Sequence, residues 1–241
     1  LSDIATMIAE DLRPNGTVEA WFSALARLPG GIGAVGYRKL KRRQQRLAEA
    51  RLEALSAALG PGDIALDLGA NVGDVTNLLA RGGATVHAFE PEPETFALLS
   101  ARFADQPHVH PHNAAVSDYD GTAALVLPAS YRVSPRSASK AASIVHDRYR
   151  DGNHVETETR VIDIAGFVRD LPRRPSLIKI DIEGAEWRVL AALQAAELLS
   201  DGVCVFVETH ERLDPSTLPL VRRQQAWAAR QSDVYVNLYW G

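Results

Sequence analysis

The sequence predicts an α/β domain, a mostly parallel sheet covered by helices on both faces. Three observations predict it. Short segments that are apolar almost throughout (IALDL at 64–68, TVHAFE at 85–90, SLIKID at 176–181, VCVFVE at 203–208) alternate with stretches of helical pattern. The first segment runs into a glycine-bearing turn, DLGANVGDVT at 67–76, which opens a helix. The chain has 241 residues, 46% of them hydrophobic, enough for one large domain or one domain with a modest extension.

Taken in order, helices are expected over 3–12 and 17–28, with the glycine-rich PGGIGAVG at 29–36 ending the second. A longer helix is expected from about Tyr37 to Leu59, stopped by Gly60-Pro61-Gly62. Residues 1–60 thus read as an N-terminal helical extension and residues 61–241 as the domain proper. Within the domain, helices are expected at 74–81, 93–104, 184–199 and 217–230. HVHPHNAAV at 108–116 is a third strand region, and the β-prone VYVNLYW at 234–240 closes the chain. The rhythm breaks between Asp118 and Asp163. There a YDG turn, the strand-like TAALVL, a Ser-rich stretch and the alternating VETETRV suggest a β-hairpin insertion with a long, positively charged tip. A loop of that length in a compact domain is more often functional than idle. Arg132, Arg136, Lys140 and Arg148 in it would suit an anionic ligand.

The bulk properties exclude several classes. A net charge of −4 gives no global field for nucleic acid or an anionic membrane. The basic run of Arg38, Lys39, Lys41, Arg42, Arg43 and Arg46 has no interleaved aromatic platform, and reads as a solvated helix face rather than a nucleic-acid footprint. Cys204, the single cysteine, lies in VCVFV and reads as a buried core thiol in a reducing compartment. No apolar stretch approaches the roughly 20 residues needed to span a bilayer. The opening LSDIATMIAEDL lacks the pattern of a secretory signal, so a cytoplasmic protein is expected. The N-terminal helices could pack on a second copy as easily as on their own core.

The turn at 67–76 narrows the ligand. A dinucleotide-binding turn, G-x-G-x-x-G, needs glycines where this chain has Gly69, Asn71 and Asp74. A carboxylate at position 74 competes with a pyrophosphate for the helix N-terminus, so a nicotinamide dinucleotide is disfavoured. Asp67 puts a carboxylate beside a partly free backbone, which suits a ligand with an ammonium and a sulfonium but no phosphate. S-adenosylmethionine is such a ligand. It also has a ribose diol, and Glu90 ends the second strand at about the separation where such folds place a ribose-binding acid.

At this point DLGANVGDVT, HAFEPEPETFALL, NAAVSDYDG and above all LIKIDIEGAEWRVL, followed by FVETH, resemble the FkbM-type S-adenosylmethionine-dependent methyltransferases. The resemblance runs from about Asp63 to His210. It implies a Rossmann-like class I methyltransferase fold. It also implies methyl transfer, usually to a hydroxyl of a sugar or secondary metabolite, leaving S-adenosylhomocysteine. Carried over by position, Asp67, Gly69, Ala70, Asn71 and Gly73 line the methionine half of the cofactor. Glu90 holds the ribose, and Ala115, Val116 and Ser117 border the adenine.

Asp181 and Glu208 end the fourth and fifth strands, with His210 two residues on, and groups just past strand ends face the ligand crevice in open parallel sheets. With Glu183 they are expected to converge near the transferable methyl, His210 as first choice of base and Asp181 as second. Lys179 shares Asp181's face of the strand and is expected to pair with an acid beneath the site. Glu183 and Glu186 also have a plainer explanation, since acids are favoured in a helix's first turn. Asp181, Glu208 and His210 form an oxygen-rich set for a hard divalent ion, but no fixed ligand spacing supports one and no metal is expected. His108, His110 and His112 alternate as metal ligands would, yet Pro111 interrupts that ladder. Three other readings stay open: methyl transfer to nitrogen, a nicotinamide-dependent enzyme, and a noncatalytic binding module.

Overall fold

The structure is a computed structural model, and it describes residues 21, 24, 25, 30–128, 142–144, 154–200, 202–210, 218–228, 230, 231, 233–238 and 240. Helix α1 (Gly30–Ala58) leads into β1 (Ile64–Leu68), α2 (Asp74–Ala80), β2 (Thr85–Phe89), α3 (Pro93–Arg102) and β3 (Val109–His112). Then come β4 (Ala115–Ser117), β5 (Gly121–Pro128), β6 (His154–Asp163) and α4 (Ile164–Asp170). The chain continues through β7 (Leu177–Ile180), α5 (Glu186–Ala195), β8 (Cys204–Val207), α6 (Leu218–Ala228) and β9 (Tyr235–Asn237).

Six strands form one parallel sheet in the order β3-β2-β1-β7-β8-β9. The period of two decides which face each side chain serves. Ile64, Leu66 and Leu68 of β1 join Ile178, Ile180, Val205 and Val207 in one core cluster, together with Val168 of α4 and Val189, Leu190 and Leu193 of α5. The intervening residues Ala65, Leu177, Cys204 and Phe206 turn to the other face, against Leu52, Leu55, Leu79 and Leu99 from α1, α2 and α3. Strands buried on both sides cannot alternate polar and apolar residues, which is why their sequence reads as unbroken apolar runs. The helix ahead of the first strand is itself part of this core.

The break expected at 29–36 is corrected: α1 begins at Gly30 and runs through those glycines. Each glycine costs about 1 kcal/mol relative to alanine in a helix, a weak preference that the packed half of α1 overrides. Pro29, just ahead of that start in sequence, was the better signal, since proline is tolerated at helix beginnings. The helices expected at 3–12 and 17–28 lie outside the described residues, apart from helical Trp21, Ala24 and Leu25.

The third strand region divides. β3 stays on the edge of the main sheet, where Pro111 does not interrupt a ladder on both sides. β4 moves to a second sheet of order β4-β6-β5. In that sheet β5 and β6 pair antiparallel from Gly121 opposite Val161 to Pro128 opposite His154, the expected hairpin, while β4 lies parallel to β6. Most of the Ser-rich tip, including Arg132, Arg136, Lys140 and Arg148, lies outside the described residues. Ser143 pairs back onto Val126 through two backbone hydrogen bonds. Helix α4 had no counterpart among the expected elements. Its signal was Asp163, whose carboxylate caps the helix by accepting from the Ala165 and Gly166 N–H groups.

Candidate active site

The turn after β1 is left-handed at three alternate residues: Gly69 (φ 82°), Asn71 (φ 50°) and Gly73 (φ 86°). A side chain at Gly69 would run into the Asp181 carbonyl, and one at Gly73 into the rings and methyls of Phe103 and Leu99. The turn is fixed from both ends. The N–H groups of Gly69 and Ala70 donate to the Phe89 carbonyl. Glu90 then accepts from the Asn71 N–H with one oxygen and the Glu92 N–H with the other, both at 2.9 Å. Burial pushes the Glu90 carboxyl up to about 7, against the pull of those two N–H donors.

Beneath the turn lies a buried charge network. Asp67, fully buried, accepts from Thr76 Oγ1 at 2.7 Å and lies 3.2 Å from Lys179 Nζ. Lys179 donates to the Gly69 carbonyl at 2.6 Å, lies 3.5 Å from Asp181 Oδ2, and sits 5.2 Å from the ring centre of Trp240. Burial alone would weaken the ammonium's hold on its proton, but Asp67 and Asp181 outweigh it and hold Lys179 above the usual lysine range.

The acids at the C-terminal ends of β7 and β8 form the rim. Burial drives the Asp181 carboxyl upward, opposed by Lys179, and pushes Glu208 up to about 7 with help from the Asp181 charge. His210 is held between two carboxylates, Nε2 at 2.9 Å from Glu183 and Nδ1 at 2.8 Å from Glu186. Burial opposes its charge, yet the hydrogen bonds to Glu183 and Glu186 prevail and raise it to about 10. An imidazole in that state holds its proton at neutral pH. Carboxylates at both ring nitrogens favour the protonated imidazole, which is at odds with the role of first-choice base expected for His210.

A crevice of about 420 Å³ opens over the turn, with Gly69, Ala70, Asn71 and Glu90 on its floor and Asp181, Glu183 and Glu208 on its rim. Ala115 and Val116 of β4, Leu125 of β5, and Ala142 and Ile144 of the insertion wall it on the side of the second sheet, and Trp240 contributes from beyond β9. The last four were missed by sequence reasoning. For Leu125, Ala142 and Ile144 the signal was the long insertion, since such loops tend to carry function; Trp240 had none.

The histidine-rich segment does not converge on one point. His110 and His112 stack on His87 of β2, with His87 Nδ1 3.1 Å from His112 Nε2 and Phe167 packed edge-on, while His108 faces the Ala80 carbonyl at 3.3 Å. Burial lowers both His87 and His112 to about 4, so this pair is neutral at neutral pH.

Residues 67–223 match the methyltransferase FkbM domain, more than half of the chain. The chain belongs to the FkbM methyltransferase family. A 31-O-demethyl-FK506 methyltransferase FkbM from Streptomyces tacrolimicus is 30% identical over 162 residues, which is 58% of this chain and 62% of that protein. The chain thus spans less than two thirds of that relative's length. No solved structure matches the chain significantly. The parallel sheet with helices on both faces is the Rossmann-like methyltransferase fold, and membership of the family implies S-adenosylmethionine as cofactor. Among the described residues no helix is long and apolar enough to cross a membrane.

The crevice suits that cofactor. Lys179 is the one cation among the described lining residues, and it is already committed to Asp67 and Asp181, so those residues offer a diphosphate no uncommitted counter-charge. The reason differs from the one the sequence suggested. Asp74 does not claim the helix N–H groups but turns outward to Arg102 at 2.7 Å. Several expected cofactor residues support the crevice without lining it. Asp67 lies beneath the turn, Gly73 packs against Phe103 and Leu99, and Ser117 is buried with its hydroxyl donating to Asp118. Asp181, Glu183 and His210 each bring one ligand atom within 4.8 Å of the others, whereas Glu208 stands outside that group. A metal there would need the His210 Nε2 proton removed and the bond to Glu183 given up.

Proposed function

We propose that this chain transfers a methyl group from S-adenosylmethionine to a hydroxyl oxygen of a small-molecule acceptor, such as a sugar or secondary metabolite. The observation that carries this reading is the pair of desolvated acids, Asp181 and Glu208, at the ends of adjacent parallel strands on the rim of the crevice that the glycine turn floors. The name of the Streptomyces relative, an O-demethyl compound's methyltransferase, supports oxygen as the receiving atom.

When bound, S-adenosylmethionine supplies an electrophilic methyl group on a positively charged sulfur. The side-chain-free Gly69 lets the turn close against the Asp181 carbonyl and so shapes the floor of the crevice, and the remaining lone pairs of Glu90 accept from the ribose diol. The acid rim favours a cationic ligand over a neutral or anionic one. Asp181 orients the acceptor hydroxyl, and Glu208 takes its proton. A base with a pKa near the working pH contributes most, typically about 10²–10⁴-fold. The Glu208 side chain keeps 31% of its exposure, so the proton has a route to water.

Calorimetry with S-adenosylhomocysteine and with a nicotinamide dinucleotide tests the cofactor half. Labelled methyl transfer to a panel of hydroxyl and amine compounds tests the acceptor half, with the product site read by NMR. Binding of S-adenosylhomocysteine alone and a methyl ether product support the reading. A product methylated on nitrogen, or turnover unaffected by Glu208→Gln, overturns it.

A further inference from the structure

We propose that His210 is a fixed cation in this site, a positioning residue that ties the end of β8 to the turn before α5 and favours the ionised forms of Asp181 and Glu208. The inference rests on the reading that these two acids flank the acceptor.

The donor count carries it. The two oxygens of Glu186 accept from the backbone N–H groups of Ile182 at 3.3 Å and Gly184 at 3.0 and 2.9 Å, and Oε1 also faces His210 Nδ1 at 2.8 Å. Both oxygens of Glu186 are thus already set as acceptors by backbone donors, and the contact at Nδ1 completes that pattern when Nδ1 carries a hydrogen. Nε2 in turn faces Glu183 Oε2 at 2.9 Å. A carboxylate oxygen within ion-pair distance of each ring nitrogen favours the imidazolium, and the charge-assisted hydrogen bond from Nδ1 to Glu186 is about twice as strong as a neutral one.

The bonds also do mechanical work. Glu183 sits in the left-handed region at φ 58°, a conformation a non-glycine residue keeps only when its surroundings hold it. His210 grips its side chain, and Ser143 Oγ donates to its carbonyl at 2.6 Å, which joins the turn to the insertion wall of the crevice.

The charges facing His210 come from three directions. Glu183 and Glu186 approach from the turn and the start of α5, Glu208 Oε1 lies 3.9 Å away at the end of its own strand, and Asp181 stands on β7 with Lys179 behind it at 3.5 Å. With Asp67, which pairs with Lys179 at 3.2 Å, five carboxylates surround two cations. Taking away the imidazolium leaves Lys179 alone to offset Asp181 and Glu208, and mutual repulsion then favours their neutral forms. A neutral acid still accepts weakly through its carbonyl oxygen but cannot take the hydroxyl's proton.

The decisive measurement is imidazole ¹⁵N NMR on the wild-type chain. Both His210 nitrogens are expected to stay protonated from about pH 5 to about pH 9, whereas an unperturbed ring titrates near about 6.5. A neutral His210 ring at about pH 7 overturns the proposal. The second measurement is the ¹³C carboxyl titration of Glu208. It is expected to move up by about one to three pH units in His210→Gln and to stay closer to wild type in His210→Lys, which restores the charge. No movement in a folded His210→Gln overturns it. Should that variant not fold, Glu186→Gln keeps an oxygen on Nδ1 but removes a charge, and the His210 titration is expected to fall by at least about one unit. Line broadening of His210 by micromolar Mn²⁺ would make the ring a metal ligand and also overturn it. None of these readouts needs methyl transfer, so a chain that fails to turn over would count against the proposed function and not against the imidazolium.

Discussion

Lys179 and Asp67 form a buried ion pair at 3.2 Å directly beneath the glycine turn, and the same ammonium donates to the carbonyl of Gly69. A buried pair is weak evidence for stability in itself, because desolvation offsets most of the attraction. Its value here is placement: one nitrogen fixes the turn, the strand end of β1 and the acid of β7 in one register.

Removing one member of that pair exposes the cost of the other. Lys179→Met is expected to destabilise the fold by about 3–5 kcal/mol, since Asp67 is left charged and fully buried. The double variant Asp67→Asn with Lys179→Met is expected to lose less than the sum of the single losses, a coupling that urea denaturation of the four proteins reads directly.

Gly69→Ala attacks the same turn sterically. The new methyl meets the Asp181 carbonyl, and the residue must hold φ at 82°. The backbone strain alone is on the order of 1–3 kcal/mol. Because β1 and β7 must separate to make room, calorimetry is expected to find S-adenosylhomocysteine binding lost even at temperatures where circular dichroism finds the variant folded.

Much of this could be read from the chain itself, and the limits have a physical pattern. The residues of β1 were legible because five consecutive buried positions ending in a glycine turn are a local signal. The division of HVHPHNAAV was not, because it is made by Asn113, whose amide donates to the carbonyls of Glu90 and Pro91 from far along the chain. Asp74 had the same difficulty: its partner Arg102 lies 28 residues away, and the local reading of a helix-capping acid was reasonable until that arginine appeared. His210 was read as a base because a histidine beside acids at a strand end suits one. Its charge state depends on Glu183 and Glu186, which only the folding of α5 against β8 brings to its two nitrogens.

Glu90 makes cofactor binding depend on pH. Its carboxyl titrates near about 7 in the folded chain, and only the ionised form accepts from a diol with full strength. Affinity for S-adenosylhomocysteine is therefore expected to fall by up to about tenfold between about pH 8 and about pH 6, as the acid takes up its proton. Glu90→Gln is expected to bind more weakly throughout, since an amide cannot accept from both the Asn71 and Glu92 N–H groups, and to lose the pH dependence. A wild-type affinity that stays flat across that range would show that Glu90 does not hold the diol.

Glu208 links catalysis to stability through the same desolvation. Its folded value of about 7 lies above the 4.5 of a free glutamate, so the folded chain binds a proton more tightly than the unfolded one between those limits. The sign follows: stability associated with this group is present below about pH 4.5 and is lost as the pH rises through 7. Glu208→Gln should then melt at a higher temperature than wild type at about pH 8, with the gap closing toward about pH 4.5. Turnover should move the opposite way, falling about 10²–10⁴-fold at the pH where wild type is fastest. A site tuned for catalysis at the expense of its own stability gives both signs together. If the variant gained no stability at high pH, the carboxyl would not be desolvated as the geometry requires, and its role as base would lose its physical ground.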